Sequence, residues 1–115
     1  MSLINSFLKE VQEATNRTFP RATTTYQIIR LTHLYFRAVI DKDTFIDIYF
    51  NLDTDRKDFT LIHQENRVYG IDNLQGWHYH PFNDADRHIP CQEPSVKDVF
   101  QEMKKITEMI RKHFT

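Results

Sequence analysis

The sequence predicts an α+β fold, an antiparallel β-meander of four to five strands packed against an N-terminal and a C-terminal helix, in one domain over residues 1–115. Three observations predict it. Apolar residues recur at three- and four-residue spacing at both ends of the chain. Between the ends the pattern changes to alternation, which is the period of a half-buried strand. The connections between the alternating runs are short, and short connections join antiparallel neighbours.

The elements follow in order. Ser2 is placed to cap a helix with Leu3, Ile4, Phe7, Leu8 and Val11 on its apolar stripe, and Pro20 marks the end of that unit. The run from Thr24 to Ile40 places Leu34, Phe36, Ala38 and Ile40 on one face. After a turn at Asp41-Lys42-Asp43, the run Phe45 to Asn51 sends Ile46, Ile48 and Phe50 to one side. A polar loop from Asp53 to Lys57 leads into a strand over Phe59 to His63. Glu65-Asn66 is expected as a two-residue hairpin turn, because Asn tolerates positive φ, and Val68 to Ile71 as the last strand. Residues 72–94 are expected to be irregular. Ser95 then caps a helix with Asp98 as its capping-box-like partner, and Val96, Val99, Phe100, Met103, Ile106 and Ile110 form its stripe. The cations near its end, Lys104, Lys105, Arg111 and Lys112, suit the helix dipole.

Composition bounds the function classes. A chain of 115 residues buries roughly two-thirds of its unfolded surface and needs no covalent staple. Its one cysteine, Cys91, excludes an internal disulfide framework and fits a reducing compartment. No apolar run approaches the roughly 20 residues that cross a bilayer, and the N-terminus lacks the apolar core of a signal peptide. A cytoplasmic location without a membrane partner is therefore expected. The net charge of −1 lacks the usual footprint of a high-affinity duplex binder. Sheet edges and apolar helix faces leave room for a homodimer.

Chemistry concentrates in RVYGIDNLQGWHYHPFNDADRHIPC. It holds His78, His80 and His88, half of the six histidines, with the only Trp and both glycines. A connection this long inside a small domain is usually functional or disordered. Trp77, Tyr79, Phe82 and Ile89 supply anchors that favour order. His78 and His80, two apart in an extended segment, share a face about 6 to 7 Å apart along the chain. Pro81 disfavours a helical conformation at His80.

Four uses of these residues stay open. The pair is suited to ligating a divalent metal, with His88, Asp72 or Cys91 completing the shell. The histidines are equally suited to metal-free RNA cleavage, one imidazole accepting the proton of the 2′-hydroxyl and another protonating the departing 5′-oxygen. Arg67 or Arg87 would then face the phosphorane charge, and Trp77 or Tyr79 would stack a base. Alternatively the histidines hydrogen-bond to loop carbonyls and aspartates and simply order the connection, or the loop binds a protein. His33, His63 and His113 read as structural, and Cys91 as a small buried residue.

A tyrosine-x-x-Asp-Asn at the end of a meander, then His-x-His-Pro, another His and a terminal helix, resembles the TumE-like family of small toxin-antitoxin proteins. The resemblance runs from about Tyr35 to the C-terminus. Tyr69, Asp72 and Asn73 match its aromatic-x-Asp-Asn element, with Gly70-Ile71 widening the spacing. His78, His80 and Pro81 match its first histidine cluster and His88 the second, where Asn83 to Arg87 replace a denser run. The resemblance implies a type II toxin acting on RNA or the translation machinery and neutralised by a helix-turn-helix antitoxin that masks the Asp72–His88 stretch. The expected site has His78, His80, His88, Asp72 and Tyr69 as catalytic residues and Asn73, Trp77, Tyr79, Arg67 and Arg87 as substrate-binding residues. No metal and no cofactor are expected. A non-enzymatic protein-binding or metal-binding accessory domain is the alternative.

Overall fold

The computed structural model of the chain describes residues 2–114. Helix α1 spans Leu3–Thr18, strands β1 to β7 span Thr23–Ile29, His33–Asp41, Thr44–Asn51, Arg56–His63, Asn66–Asp72, His78–His80 and Ile89–Pro90, and helix α2 spans Val96–Phe114. The strands form one sheet in the order β1-β2-β3-β4-β5-β6-β7, each pair antiparallel, so the meander is uninterrupted. No helix among the described residues is long and apolar enough to cross a membrane.

Both helix starts form as the sequence predicts. The Ser2 hydroxyl accepts from the Asn5 N–H at 3.1 Å and the Ser95 hydroxyl from the Asp98 N–H at 3.0 Å, each satisfying a donor the helix leaves unpaired. The α1 stripe buries Ile4, Phe7, Leu8, Val11, Ala14 and Thr15, whereas Leu3 stays 67% exposed. The helices touch each other and cover one sheet face. On that face Leu34, Phe36, Ala38, Ile46, Ile48, Phe50, Phe59 and Leu61 form one core with Val99, Phe100, Met103 and Ile106 of α2. The Phe7 ring sits 4.9 Å from that of Phe50 and 6.1 Å from that of Phe59, locking α1 onto β3 and β4. Burying such side chains contributes roughly 1.5–3 kcal/mol apiece. The other face has no helix over it.

Seven strands stand where four to five were expected. The run from Thr24 to Ile40 is two strands, reversed by a three-residue connection in which Arg30 and Leu31 take φ of 55° and 61°. Neither residue type signals such a turn. The β4–β5 turn falls on Gln64-Glu65 rather than Glu65-Asn66, with φ of 50° and 69°. Asn66 supports it from outside, donating its side-chain amide to the Gln64 carbonyl at 3.0 Å. Within the stretch expected to be irregular, His78–His80 and Ile89–Pro90 extend the sheet by two short strands.

Candidate functional site

The register of the sheet decides what its open face carries. One cross-strand row runs Tyr35, Tyr49, Asp58, Asp72, His78, and its neighbour runs Thr25, Arg37, Asp47, Thr60, Gly70, His80. Directly opposed residues share a face, so both histidines arrive on the helix-free side beside Asp72. The segment 81–88 then folds back through two turns, with the Asp84 N–H donating to the Pro81 carbonyl and the Arg87 N–H to the Asp84 carbonyl. That return brings in His88. Its ring centroid lies 4.9 Å from that of His78 and 4.4 Å from that of His80, and the latter two are 5.1 Å apart.

Backbone carbonyls fix the rings. His78 Nδ1 lies 3.0 Å from the Gly76 carbonyl oxygen and His80 Nδ1 3.0 Å from that of Ala85. A carbonyl only accepts, so both Nδ1 atoms are the protonated nitrogens and both Nε2 atoms carry the lone pair of the neutral ring. Each Nε2 lies 3.5 Å from Asp72 Oδ2. The other oxygen, Oδ1, accepts from the Leu74 N–H at 2.9 Å, which holds the carboxylate in place. Arg67 donates to the Ala85 carbonyl at 2.7 Å, the same oxygen that orients His80. Burial pushes the His80 pKa down, aided by the positive charge of Arg67 and by His88.

The structure brings together five of the expected site residues, Asp72, His78, His80, His88 and Arg67. It places the others elsewhere. Tyr69, Trp77 and Tyr79 belong to the helix side and pack against the core. Tyr69 is 6% exposed, and burial, then the nearby Glu102, raises its phenol far above the ordinary range. Asn73 acts as a clamp between strands, its amide oxygen accepting from the Lys57 N–H at 2.9 Å and its NH₂ donating to the Asp55 carbonyl at 2.7 Å. Arg87 is exposed next to His88. Cys91 packs at the core margin on the Tyr69 side, where burial raises its thiol pKa.

Sequence reasoning missed the remainder of the open face. A groove of about 570 Å³ crosses it between Thr25 and Thr60, lined by Tyr35, Arg37, Asp47, Tyr49 and Asp58. The Tyr35 and Tyr49 rings lie 5.0 Å apart, and Arg37 is held on Asp47 by bonds of 2.7 and 2.9 Å. At about 4.8 Å per strand, the Asp58 wall stands roughly 10 Å from His78. Alternation within β2 and β3 was the signal that could have found these residues. Comparison with protein-family models, with curated proteins and with solved structures gives no match.

Proposed function

We propose that this protein is a toxin-type enzyme that cleaves single-stranded RNA at the cluster of Asp72, His78, His80 and His88. The observation that carries the reading is the meeting of these four side chains, from β5, β6 and the segment before β7, on an open sheet face beside a fixed guanidinium. Cleavage next to a ribose needs few parts. A base takes the proton of the 2′-hydroxyl, whose oxygen then attacks phosphorus. An acid protonates the departing 5′-oxygen, and a cation offsets the charge of the phosphorane, leaving a 2′,3′-cyclic phosphate.

The cluster holds candidates for each part. Neutral imidazoles with free Nε2 lone pairs are suited to the base, the exposed His88 to the acid, and Arg67 to the charge. Tyr35 and Tyr49 offer aromatic faces for unpaired bases, which makes them better placed than Trp77 or Tyr79 to stack substrate. Asp47 and Asp58 line the same path, but each is paired with an arginine, Arg37 and Arg56. The resemblance to TumE-like proteins adds a helix-turn-helix partner that covers the cluster.

The test is cleavage of a fluorescently labelled RNA oligonucleotide by the purified chain, paired with growth on induction in a bacterial host. Loss of both in His80→Ala and His88→Ala, with folding intact by circular dichroism, supports the reading. Tyr69→Phe should cleave as the parent does. Cleavage or toxicity that survives both histidine changes would show that the cluster is not the working centre.

A further inference from the structure

The arrangement around Asp72 Oδ2 contains an electrostatic conflict that a cation resolves. Both Nδ1 atoms spend their proton on a carbonyl, so in the neutral rings two Nε2 lone pairs converge on a carboxylate oxygen at 3.5 Å with no hydrogen between them. Lone pair facing lone pair is repulsive, and Asp72 cannot turn away because Leu74 N–H holds its other oxygen. Protonating the rings would also resolve the conflict. The His80 ring, however, is 3% exposed, shares the Ala85 carbonyl with the Arg67 guanidinium and has two further imidazoles at 5.1 and 4.4 Å, a setting with no room for a second buried positive charge.

We propose that His78, His80 and His88, with Asp72 Oδ2, bind one late first-row divalent metal ion of the zinc class. The spacing fits. Ligands each about 2.0–2.1 Å from a tetrahedral ion lie roughly 3.4 Å from one another, close to the observed 3.5 Å separations. Ligand nitrogens of the three histidines all lie within 4.8 Å of one another, so modest ring rotation by the exposed His88 closes the set. Among the described residues, His78, His80 and His88 are the histidines, cysteines and carboxylates grouped closely enough to hold an ion, and Asp72 Oδ2 adjoins the first two of them.

The surrounding bonds are those a metal site requires. Metal-bound imidazoles ordinarily donate their other N–H to a carbonyl or carboxylate, which fixes the tautomer and aims the lone pair. Gly76 and Ala85 supply those carbonyls. The donor set also selects the ion. Imidazole suits zinc, cobalt, nickel and copper, whereas magnesium and calcium favour all-oxygen sites, so neither is the expected occupant. This inference rests on the proposed RNA cleavage only in its consequence. An ion held here takes the lone pairs that accept protons in the metal-free cluster, so metal loading inhibits that cleavage.

The experiment uses the full chain without a polyhistidine tag, stripped with chelator and dialysed. Zn(II) is titrated by calorimetry and Co(II) by visible absorption, both in the absence of RNA. One equivalent per chain at micromolar affinity or tighter, with the ligand-field bands of a four-coordinate Co(II) site, is expected. His88→Ala, a change at an exposed position outside the core, should weaken binding about a hundredfold or more, and His80→Ala likewise, while His113→Ala on the end of α2 leaves it unchanged. No binding at micromolar metal, or binding that survives His88→Ala, overturns the proposal. Tight binding with no RNA cleavage by the stripped chain overturns the cleavage reading and leaves the ion site standing. Cleavage without metal binding does the reverse.

Discussion

At the scale of single residues, the i, i+2 spacing of His78 and His80 in an extended segment fixes more than their own placement. Two residues apart in a strand means one face, and both rings are on it. The same rule sends Trp77 and Tyr79 to the opposite face, which is where the core holds them. What no residue type announced is the carbonyl support from Gly76 and Ala85, because backbone acceptors leave no mark in a sequence. Asn73 shows the other kind of gap. Its place beside Asp72 suggested contact with substrate, yet both of its side-chain bonds tie the start of β4 to the end of β5. Asn73→Ala should therefore act on stability. Losing two bonds to backbone groups that are then unpaired should cost about 1–3 kcal/mol in a urea melt. RNA cleavage per folded molecule should stay at the parental level. A variant of full stability that no longer cleaves would return Asn73 to the substrate.

Among the elements, those with enough residues to display a period were legible. Helix α2 has its cap and all six stripe residues where the spacing puts them. The central strands alternate as read. Two-residue and three-residue strands show no period at all, which is why β6 and β7 were hidden within an irregular stretch. The β1–β2 reversal was hidden for a different reason. Arg30 and Leu31 adopt a left-handed backbone that asparagine or glycine usually marks, and Leu31 does so while 81% exposed. A branched aliphatic residue at positive φ costs about 1–2 kcal/mol relative to the right-handed regions. Leu31→Asn keeps a side chain, lowers that cost and removes an exposed apolar surface. It should stabilise the protein by about 0.5–1 kcal/mol, read as a higher denaturant midpoint at unchanged slope. An unchanged or lower midpoint would mean that Leu31 makes a contact whose loss outweighs the relief of its backbone.

For the molecule as a whole, the two sheet faces divide the work. The covered face holds the sheet to α1 and α2, and the open face carries every polar group brought to the cluster. The cluster lies at the β5–β7 end of the sheet, where the strands are shortest and the loop 81–88 is held by few bonds. A ligand that binds the folded chain and has lower affinity for the unfolded one stabilises it in proportion to the logarithm of its concentration, by about 2.7 kcal/mol at about 100 times Kd. In a domain of this size each kcal/mol raises Tm by about 4 °C, so zinc at that excess should raise Tm by about 10 °C. Scanning calorimetry of the chelator-stripped chain, with and without Zn(II), reads this directly. The shift should fall to about 2 °C or less in His88→Ala, which leaves the covered core untouched, and persist in His113→Ala. An equal shift in His88→Ala would place the stabilising ion somewhere other than between these histidines, and the open face would then have to be read without it.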